Sequence, residues 1–453
     1  MSHGKAKDHF HDIVNMLGED YGISRALTLG TLFGGLLFIL SMLIDDFALF
    51  ALWWVAGTAP MWLPLVLLRG SWHAWIEYIR EEFISKRKPV LLEVKIPRDI
   101  MKSPRAMELV FNQLFSNSGE VTALVRCWNG SVRPWTSWEI ASFGGEIHFY
   151  TWCWGRYRRY IEASIYAQYP EVEIFEVEDY ATRFVYDPDK HTCYVTDYIL
   201  DPRSDAYPIK SYIDFELDKD PKEELKIDPL ATVLEVMSSI QPHEQMWVQI
   251  MVRAAGKNTG HHAIFLPKNT KDAWFDRVEE AVNEVKREAM RDPTKSEDDE
   301  KAYFNAPRPT WRQQEQLRSI ERHLGKVPFE FGGRGIYISE GDFHGPTFTS
   351  LRWLWMPFNS PAYFNQLRPR RGHNPFDWPW QDFRNFRWIL TTRRWIDAYR
   401  QRSYFYTPYA SESIVVTPET LATIYHYPSR TVATPGLARI PAKKAEPPPN
   451  LPR

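Results

Sequence analysis

Residues Trp138–Trp154, WEIASFGGEIHFYTWCW, decide the fold of this chain. Two runs rich in aromatic and β-branched residues flank the pair Gly144-Gly145. A glycine pair accepts the positive φ angles of a tight hairpin turn, and the flanking runs have the composition of strands. The sequence therefore predicts antiparallel strands at Trp138–Phe143 and Glu146–Trp154.

The elements predicted on either side complete a longer unit. Val90–Ile96 alternates as a strand, and Ser103-Pro104 starts a helix, with Ser as the N-cap and Pro at the first helical position. After the hairpin, Tyr157–Tyr169 is helical and Val172–Val177 supplies the closing strand. The order β-α-β-β-α-β is that of the ferredoxin-like unit.

The pattern predicts a second copy of this unit. Tyr212–Leu217 alternates like the first strand, and Asp228-Pro229 opens a helix as Ser103-Pro104 does. The remaining predicted elements are a helix at Leu230–Ile240, a strand at Gln245–Arg253, an inserted charged helix at Asp272–Arg291, a helix at Trp311–Leu324 and a strand at Phe329–Ser339.

An apolar segment precedes this body. Ala26–Ile44 and Phe47–Leu68 each approach the ~20 residues that cross a bilayer, and only Asp45 and Asp46 separate them. The sequence therefore predicts an N-terminal two-helix transmembrane hairpin. Basic residues flank it on both sides, which predicts a two-span protein of the bacterial cytoplasmic (inner) membrane with both termini in the cytoplasm.

Two features of the hairpin leave alternatives open. A second segment broken at Pro60 and Pro64 would be re-entrant instead of spanning. Gly30 and Gly34 have the GxxxG spacing that lets helices approach closely in lipid. We expect them to contact the second segment, because the turn between the segments is short; the alternative is a self-association face in a homo-oligomer.

The predicted fold class is α+β: the transmembrane hairpin, then tandem ferredoxin-like units, then an Arg/Trp-rich C-terminal region. The predicted parts are a cytoplasmic segment at 1–25, the hairpin at 26–68, a juxtamembrane helix at 69–88, ferredoxin-like domains at 89–180 and 181–357, the second with a helical insertion at about 268–310, an Arg/aromatic-rich region at 358–432 and a Pro-rich extended tail at 433–453. The aromatic face of the juxtamembrane helix would lie in the headgroup layer or pack on the body.

Composition and motifs give no support to catalysis. The formal net charge of −2 excludes a chain that binds polyanions over its whole surface, and the 3 cysteines show no CxxC spacing, which suits a reducing cytosol. Ala255–Thr259 lacks the leading glycine of a phosphate-binding loop, and Gly332–Gly335 predicts a bulge or bend in a strand. The adjacent His261 and His262 would point apart. The carboxylates fall on predicted polar faces, so we expect no enzyme, cofactor or metal site.

Arginine and aromatic residues interleave across 366–402. Guanidinium groups neutralise phosphates and aromatic rings stack on bases, so this segment is a candidate nucleic-acid surface; anionic lipid headgroups suit the same composition. The alternative is that the arginines pair with acidic residues of the chain or of a neighbouring subunit. The candidate contacts are Arg368, Arg370, Arg371, Arg384, Arg387, Arg393, Arg394, Arg400 and Arg402.

Nine short motifs follow one another in a fixed order along the chain. They are Leu91–Pro97, Lys102–Glu108, Trp138–Ile140, Ile165–Pro170, Phe358–Pro361, Pro379–Phe383, Arg402–Phe405, Thr420–Pro428 and Ala445–Pro452. Together they resemble the poorly characterised membrane-anchored module found ahead of conjugation-type ATPases of the type IV secretion and HerA-like class in bacteria.

The resemblance implies a membrane-anchored scaffold of a DNA or protein transfer machine. In such relatives the segment similar to Ala445–Pro452 leads into an ATPase domain, whereas this chain stops at Arg453. We therefore expect the partner to be a separate hexameric P-loop ATPase, docked through the tail, and the bilayer to be the second partner. The resemblance carries over no catalytic residue.

Overall fold

A computed structural model describes residues 30, 34–35, 47–98, 100–115, 122–201, 204–219, 227–255, 273–290, 309–341, 344–360, 365–370, 382–406, 409–411, 413–430, 432, 434–437 and 439–440. The strands are β1 Pro89–Pro97, β2 Trp135–Phe143, β3 Glu146–Trp154, β4 Glu173–Val177, β5 His191–Asp201, β6 Glu244–Ala254, β7 Phe329–Glu340, β8 Gln366–Pro369, β9 Ile414–Val416 and β10 Arg439–Ile440.

Helices surround this sheet. They are α1 Phe47–Ser85, α2 Pro104–Gln113, α3 Ala123–Cys127, α4 Arg158–Gln168, α5 Tyr180–Arg183, α6 Pro229–Ser238, α7 Ala273–Met290, α8 Trp311–Leu324, α9 Gly345–Arg352, α10 Phe386–Arg400 and α11 Pro418–Ile424. The segments Ser103-Pro104 and Asp228-Pro229 begin α2 and α6 as predicted, with proline in the first turn of each helix.

The strands form one 10-stranded sheet that contains two similar halves. In the first half the strand order is β4-β1-β3-β2, with α2 and α4 as the connecting helices. In the second half the order is β8-β5-β7-β6, and β2 pairs with β6 to join the halves. Each half therefore has β-α-β-β-α-β connectivity and antiparallel neighbours, which is the ferredoxin-like arrangement.

The second half differs from the sequence prediction in its first strand. Tyr212–Leu217 forms successive turns, held by the Asp214 carboxylate, which accepts hydrogen bonds from the backbone and side chain of Ser211. The first strand is β5 instead. Both faces of β5 are covered over its central residues, so its apolar residues do not alternate with polar ones and the strand is hard to detect.

The second helix of this half is also a different one. The predicted helix Trp311–Leu324 is present as α8, but it lies in the connection between β6 and β7 together with α7. The short helix α9, after β7, takes the equivalent position to α4 of the first half. The sequence therefore predicted the helix and its position between the two strands correctly, but the helix equivalent to α4 is α9.

The predicted transmembrane hairpin is contradicted. Within the described part of the chain, no helix is long and apolar enough to cross a membrane. Phe47–Leu68 forms the first part of α1, which continues through Pro60 and Pro64 to Ser85. Trp53, Trp54 and the two prolines interrupt its aliphatic residues and lower its hydropathy. The predicted membrane class and the two-span inner-membrane localisation are therefore not supported.

The other parts of the predicted hairpin lie almost wholly outside the described residues. Asp45 and Asp46 are outside them, as is Ala26–Ile44 except for Gly30, Gly34 and Gly35. A Cβ atom built on Gly30 or Gly34 would meet no described atom within 4 Å. The described residues therefore provide no packing partner for the GxxxG spacing.

Both faces of the sheet are covered. On one face, α2, α4, α6, α9 and α11 pack against apolar strand residues such as Leu92, Trp138 and Ile250. On the other face, α10 and the segments around Tyr180 and Tyr406 cover a second cluster that includes Trp135, Trp152 and Trp247. We call this second side of the sheet the α10 face. A smaller cluster lies between α7 and α8.

Candidate functional site

The arginines of the 366–402 segment are spread over several environments. Arg371 lies outside the described residues. Arg368 pairs with Asp201 at the edge strand β8, and Arg400 donates to the backbone carbonyls of Ala181 and Phe184. Arg384, Arg387, Arg393 and Arg394 are exposed on or just before α10. Arg370 is half-buried after β8, and its backbone N–H donates to the Asp197 carbonyl.

Arg402 is completely buried. Its side chain is 0% exposed and meets the equally buried carboxylate of Glu139 through two hydrogen bonds, Nε to Oε1 at 2.9 Å and Nη2 to Oε2 at 3.1 Å. Asp179 accepts further hydrogen bonds from the same guanidinium group. Arginine suits such a site because its planar fork matches a carboxylate in two places.

Glu139 has further partners within the sheet. Ser137 donates to its Oε1 atom at 2.7 Å, Gln249 donates to Oε1 at 3.1 Å and Tyr180 donates to Oε2 at 2.7 Å. Burial alone would raise the pKa of this carboxyl group, but the charge of Arg402 and these hydrogen bonds outweigh burial and lower it. Glu139 is therefore a fixed anion.

Glu139 belongs to a row of polar residues that crosses the sheet. The strand registers place Glu93 opposite Tyr150, Tyr150 opposite Glu139 and Glu139 opposite Gln249. The row continues with Gln249 opposite Arg334 and Arg334 opposite Asp197. We call these six residues the polar row. Glu93 on β1 and Asp197 on β5 occupy corresponding positions in the two halves, which supports their structural repetition.

The second ion pair of the polar row joins Arg334 and Asp197. Arg334 Nε lies 2.9 Å from Asp197 Oδ1, and both side chains are 0% exposed. The guanidinium carbon of Arg334 also lies 5.0 Å from the Trp395 ring centroid of α10. Ser411 donates to the other Asp197 oxygen at 3.0 Å. We call α10 and the segments around Tyr180 and Tyr406, which cover the α10 face, the outer layer. The outer layer therefore contacts this ion pair as it contacts Arg402 and Glu139.

This arrangement is suited to holding the outer layer on the sheet. The carboxylates of Glu139 and Asp197 face guanidinium groups in the protein interior, where their charges are paired and hydrogen-bonded. Other carboxylates are also buried, among them Glu330, which pairs with Arg133 and Arg253, and Glu419, which pairs with Lys326. The expectation that carboxylates lie on polar faces was wrong for these residues.

Sequence reasoning missed the polar row for a definite reason. Glu139, Asp197 and Arg334 stand in otherwise apolar strands, which is a local signal of a buried charge. Their partners lie far away in sequence, with Glu139 and Arg402 separated by 263 positions. The charges themselves are therefore detectable, whereas their pairing is not.

The glycines of β7 provide space. The registers of β7 with β5 and β6 run through Gly332–Gly335 without an extra residue, so the predicted bulge is absent. A Cβ atom on Gly332 would lie 2.4 Å from the Tyr404 ring, and one on Gly335 would lie 2.8 Å from Leu351. These glycines let both covering layers approach the strand closely.

Two of the three cysteines give no sign of reactivity. Burial raises the pKa of Cys153 and of Cys193 to about 12, so both thiols stay protonated at neutral pH. Within the described residues, no group of three or more His, Cys, Asp or Glu side chains is placed to hold a metal ion. His261 and His262 lie outside those residues.

An open cleft lies beside the polar row on the α10 face. Its volume is about 760 Å³, its floor includes Tyr150, Tyr180 and Trp247, and Glu178 and Glu340 lie among its lining residues. The ring centroids of Tyr150 and Tyr180 are 4.9 Å apart, and those of Tyr180 and Trp247 are 5.0 Å apart. The rings pack on one another, so the cleft floor is a continuation of the core.

The most unusual surface belongs to α1. Trp53 is 79% exposed and Met61 78% exposed, and the neighbouring apolar residues up to Leu68 are exposed as well. The C-terminal end of α1 is built into the body instead. There Ile79 is buried, Trp75 Nε1 donates to the Cys127 carbonyl at 3.0 Å, and the Phe83 ring lies 6.3 Å from that of Trp154.

Comparison with known proteins leaves this geometry as the main guide to function. No protein-family model matches the sequence, and no curated protein shows significant similarity to it. The resemblance to an ATPase-associated module therefore stays a prediction.

Proposed function

We propose that this protein is a non-catalytic scaffold or adaptor that docks a separate hexameric P-loop ATPase of the type IV secretion or HerA-like class. The observation that carries the proposal is the exposed apolar stretch Trp53–Leu68 of α1. Folded proteins rarely expose contiguous apolar surfaces of this kind unless the surface binds a partner. We call this stretch the apolar arm.

The arm is attached firmly enough to the body to hold a bound partner in place. At 1.5 Å per residue, the 39 residues of α1 extend about 58 Å. A Cβ atom on Gly57 or Gly70 would meet no described atom within 4 Å, so this part of the helix stands clear of the described body. The end near Ile79 and Phe83 is packed, and a partner bound to the arm is therefore held at a fixed position.

The chemistry of the arm selects its partner. It presents aromatic and aliphatic side chains with no charged residue between Phe50 and Leu68, so it suits an apolar groove or the apolar face of helices. The choice of an ATPase as the partner rests on the sequence resemblance.

The test is co-purification from cells that express the chain together with a stand-alone P-loop ATPase of this class from the same genome. We expect the wild-type chain to retain the ATPase and the variant W53S/W54S to lose most of it. Trp311→Ser is the matched control, because Trp311 is also an exposed tryptophan but lies on α8. This control should retain the ATPase.

Two outcomes would overturn the proposal. In the first, the wild-type chain neither retains the ATPase nor changes its hydrolysis rate. In the second, W53S/W54S abolishes only self-association of the chain, measured by light scattering, while ATPase retention is unchanged; the arm would then be a contact between copies.

The nucleic-acid or anionic-lipid alternative for segment 366–402 is weaker. Arg402 is buried against Glu139, and Arg400 donates to backbone carbonyls of the body. These two arginines are therefore committed to the chain's own groups, whereas Arg384, Arg387, Arg393 and Arg394 are exposed.

A further inference from the structure

An apolar cavity lies under the first ferredoxin-like half, away from the arm and the polar row. Its volume is about 370 Å³, it is partly open to solvent, and it is lined by α2, by the start of α4 and by the ends of β2, β6 and β7. The lining residues include Phe111, Phe115, Ile161, Val252, Phe329 and Thr136.

The walls of the cavity are held in place by specific contacts. The rings of Phe115 and Phe329 meet edge to face with centroids 5.4 Å apart, and Tyr160 of α4 donates a hydrogen bond to the Gln113 carbonyl at the end of α2. Small-molecule sites are usually concave pockets lined mainly by apolar and aromatic side chains. A cavity of this size, within the range of small-molecule sites, is therefore a candidate binding site.

The charge distribution around the cavity restricts the ligand. Among the described residues that line it, Arg253 is the charged one. Its guanidinium group is engaged on the α10 face, where Nε lies 2.8 Å from Glu330 Oε2 and the group stacks over the Phe405 ring at 4.4 Å. The guanidinium group therefore lies on the opposite side of the sheet from Phe111 and Ile161. A charged ligand would pay a large desolvation cost in such a site.

One polar group can orient a ligand. Thr136 Oγ1 accepts a hydrogen bond from Trp138 Nε1 at 3.1 Å. A hydroxyl group that accepts one hydrogen bond still has its own hydrogen to donate. We propose that the cavity binds a neutral, mainly aromatic small molecule that carries one hydrogen-bond acceptor directed at Thr136. This inference is independent of ATPase docking.

The probe for this site is 2-acetylnaphthalene, a neutral ketone, titrated into the full-length chain by calorimetry. We expect one bound molecule per chain. Naphthalene, which lacks the acceptor, and 2-naphthoate, which is charged, should both bind more weakly. Thr136→Val removes the hydroxyl group at nearly constant volume and should weaken ketone binding about fivefold while leaving naphthalene binding unchanged.

Val252→Phe fills the cavity and should abolish binding of both neutral probes. Val185→Phe is the matched control, because Val185 is exposed far from the cavity lining. W53S/W54S must bind the ketone like the wild type, which separates the cavity from the arm. Circular dichroism verifies the fold of each variant.

The inference is overturned if the wild-type chain does not bind the ketone up to its solubility limit. It is also overturned if Val252→Phe folds and binds normally, or if Thr136→Val changes ketone and naphthalene binding equally. The Thr136 variant keeps the test decisive where Val252→Phe does not fold.

Discussion

Arg402 and Glu139 form a buried two-pronged ion pair that fastens the outer layer of the protein to the centre of its sheet. Arg402 lies two residues after the end of α10 and has a φ angle of +48°, a left-handed conformation that is uncommon for a residue other than glycine. Such a conformation persists only where the surrounding structure enforces it. The carboxylates of Glu139 and Asp179 provide that restraint.

Removing one partner of this pair should destabilise the protein severely. Glu139→Ala leaves the Arg402 guanidinium buried with only part of its compensation, and we expect a loss of about 3–5 kcal/mol in the free energy of unfolding. The measurement is urea denaturation followed by tryptophan fluorescence. Glu178→Ala, which breaks the exposed pair of Glu178 and Arg183, is the control and should leave the midpoint unchanged.

A double variant distinguishes a charge effect from lost packing. Glu139→Leu combined with Arg402→Met replaces both charges by apolar groups, so it should be clearly more stable than Glu139→Ala. If the double variant were as unstable as Glu139→Ala, the unpaired charge would not be the cause.

Acid should destabilise the protein through Glu419. Burial would raise the pKa of this carboxyl group, but His323, Arg322 and Lys326 outweigh burial and hold it well below its usual range. In the unfolded chain Glu419 titrates near its ordinary value of 4.5. The unfolded state therefore binds the proton first, so stability is fully present above about pH 5 and is lost as the pH falls below it.

The pH dependence is measured as the urea midpoint between pH 7 and pH 3. The pKa values of Glu139, Glu330 and Asp228 are lowered as well, and these carboxyl groups contribute a loss of the same sign. Glu419→Gln should therefore lower stability at pH 7 and reduce the slope below pH 5 without abolishing it. An unchanged slope in this variant would contradict the assignment.

The sequence predicts the first half of the fold well because its signals are local. The pair Gly144-Gly145 marks the hairpin, and both glycines have positive φ angles in the structure. Ser103-Pro104 and Asp228-Pro229 mark the starts of α2 and α6 in the same local way. In the second half β5 escapes detection because both of its faces are covered, so alternation gives no signal there.

Residue types alone could not reveal the fate of segment 366–402. Arg402 and Arg394 both lie in this segment of interleaved arginine and aromatic residues, yet Arg402 is fully buried and Arg394 is exposed. The difference arises because Arg402 meets Glu139, a residue 263 positions away. The apolar stretch Phe47–Leu68 was correctly predicted to be helical, but within the described residues no helix is long and apolar enough to cross a membrane.

Gly332 should not tolerate a side chain. A Cβ atom at this position would lie 2.4 Å from the Tyr404 ring, which packs on β7 from the α10 face. We expect Gly332→Ala to lower the free energy of unfolding by about 1–3 kcal/mol, because the ring must move within a packed layer. Thermal denaturation measures the effect.

Gly345→Ala provides the control, because a Cβ atom there would meet no described atom within 4 Å and Gly345 lies at the start of α9. This control should be neutral or slightly stabilising. Equal melting temperatures for the two variants would show that Tyr404 does not restrain β7.

The sequence predicts that the tail is an extended linker from residue 433 onward. Its first residues belong to the sheet instead: β10 pairs with β1 in parallel, and Ile147 N–H donates to the Gly436 carbonyl at 2.8 Å. Residues 441–453 lie outside the described part of the chain. A chain that ends at Ile440 keeps these contacts, whereas one that ends at Val432 loses them together with the buried Leu437.

We therefore expect the chain ending at Ile440 to melt like the full-length protein, and the chain ending at Val432 to lose about 2–4 kcal/mol of stability through the lost burial and hydrogen bonds. Of these two variants, only the chain ending at Ile440 is a valid probe of ATPase docking, because we expect its fold to be intact. If it retains the ATPase as well as the full-length chain does, residues 441–453 take no part in docking, as the role assigned to the apolar arm requires. If it loses the ATPase while W53S/W54S retains it, docking occurs through the tail and the role assigned to the arm is wrong.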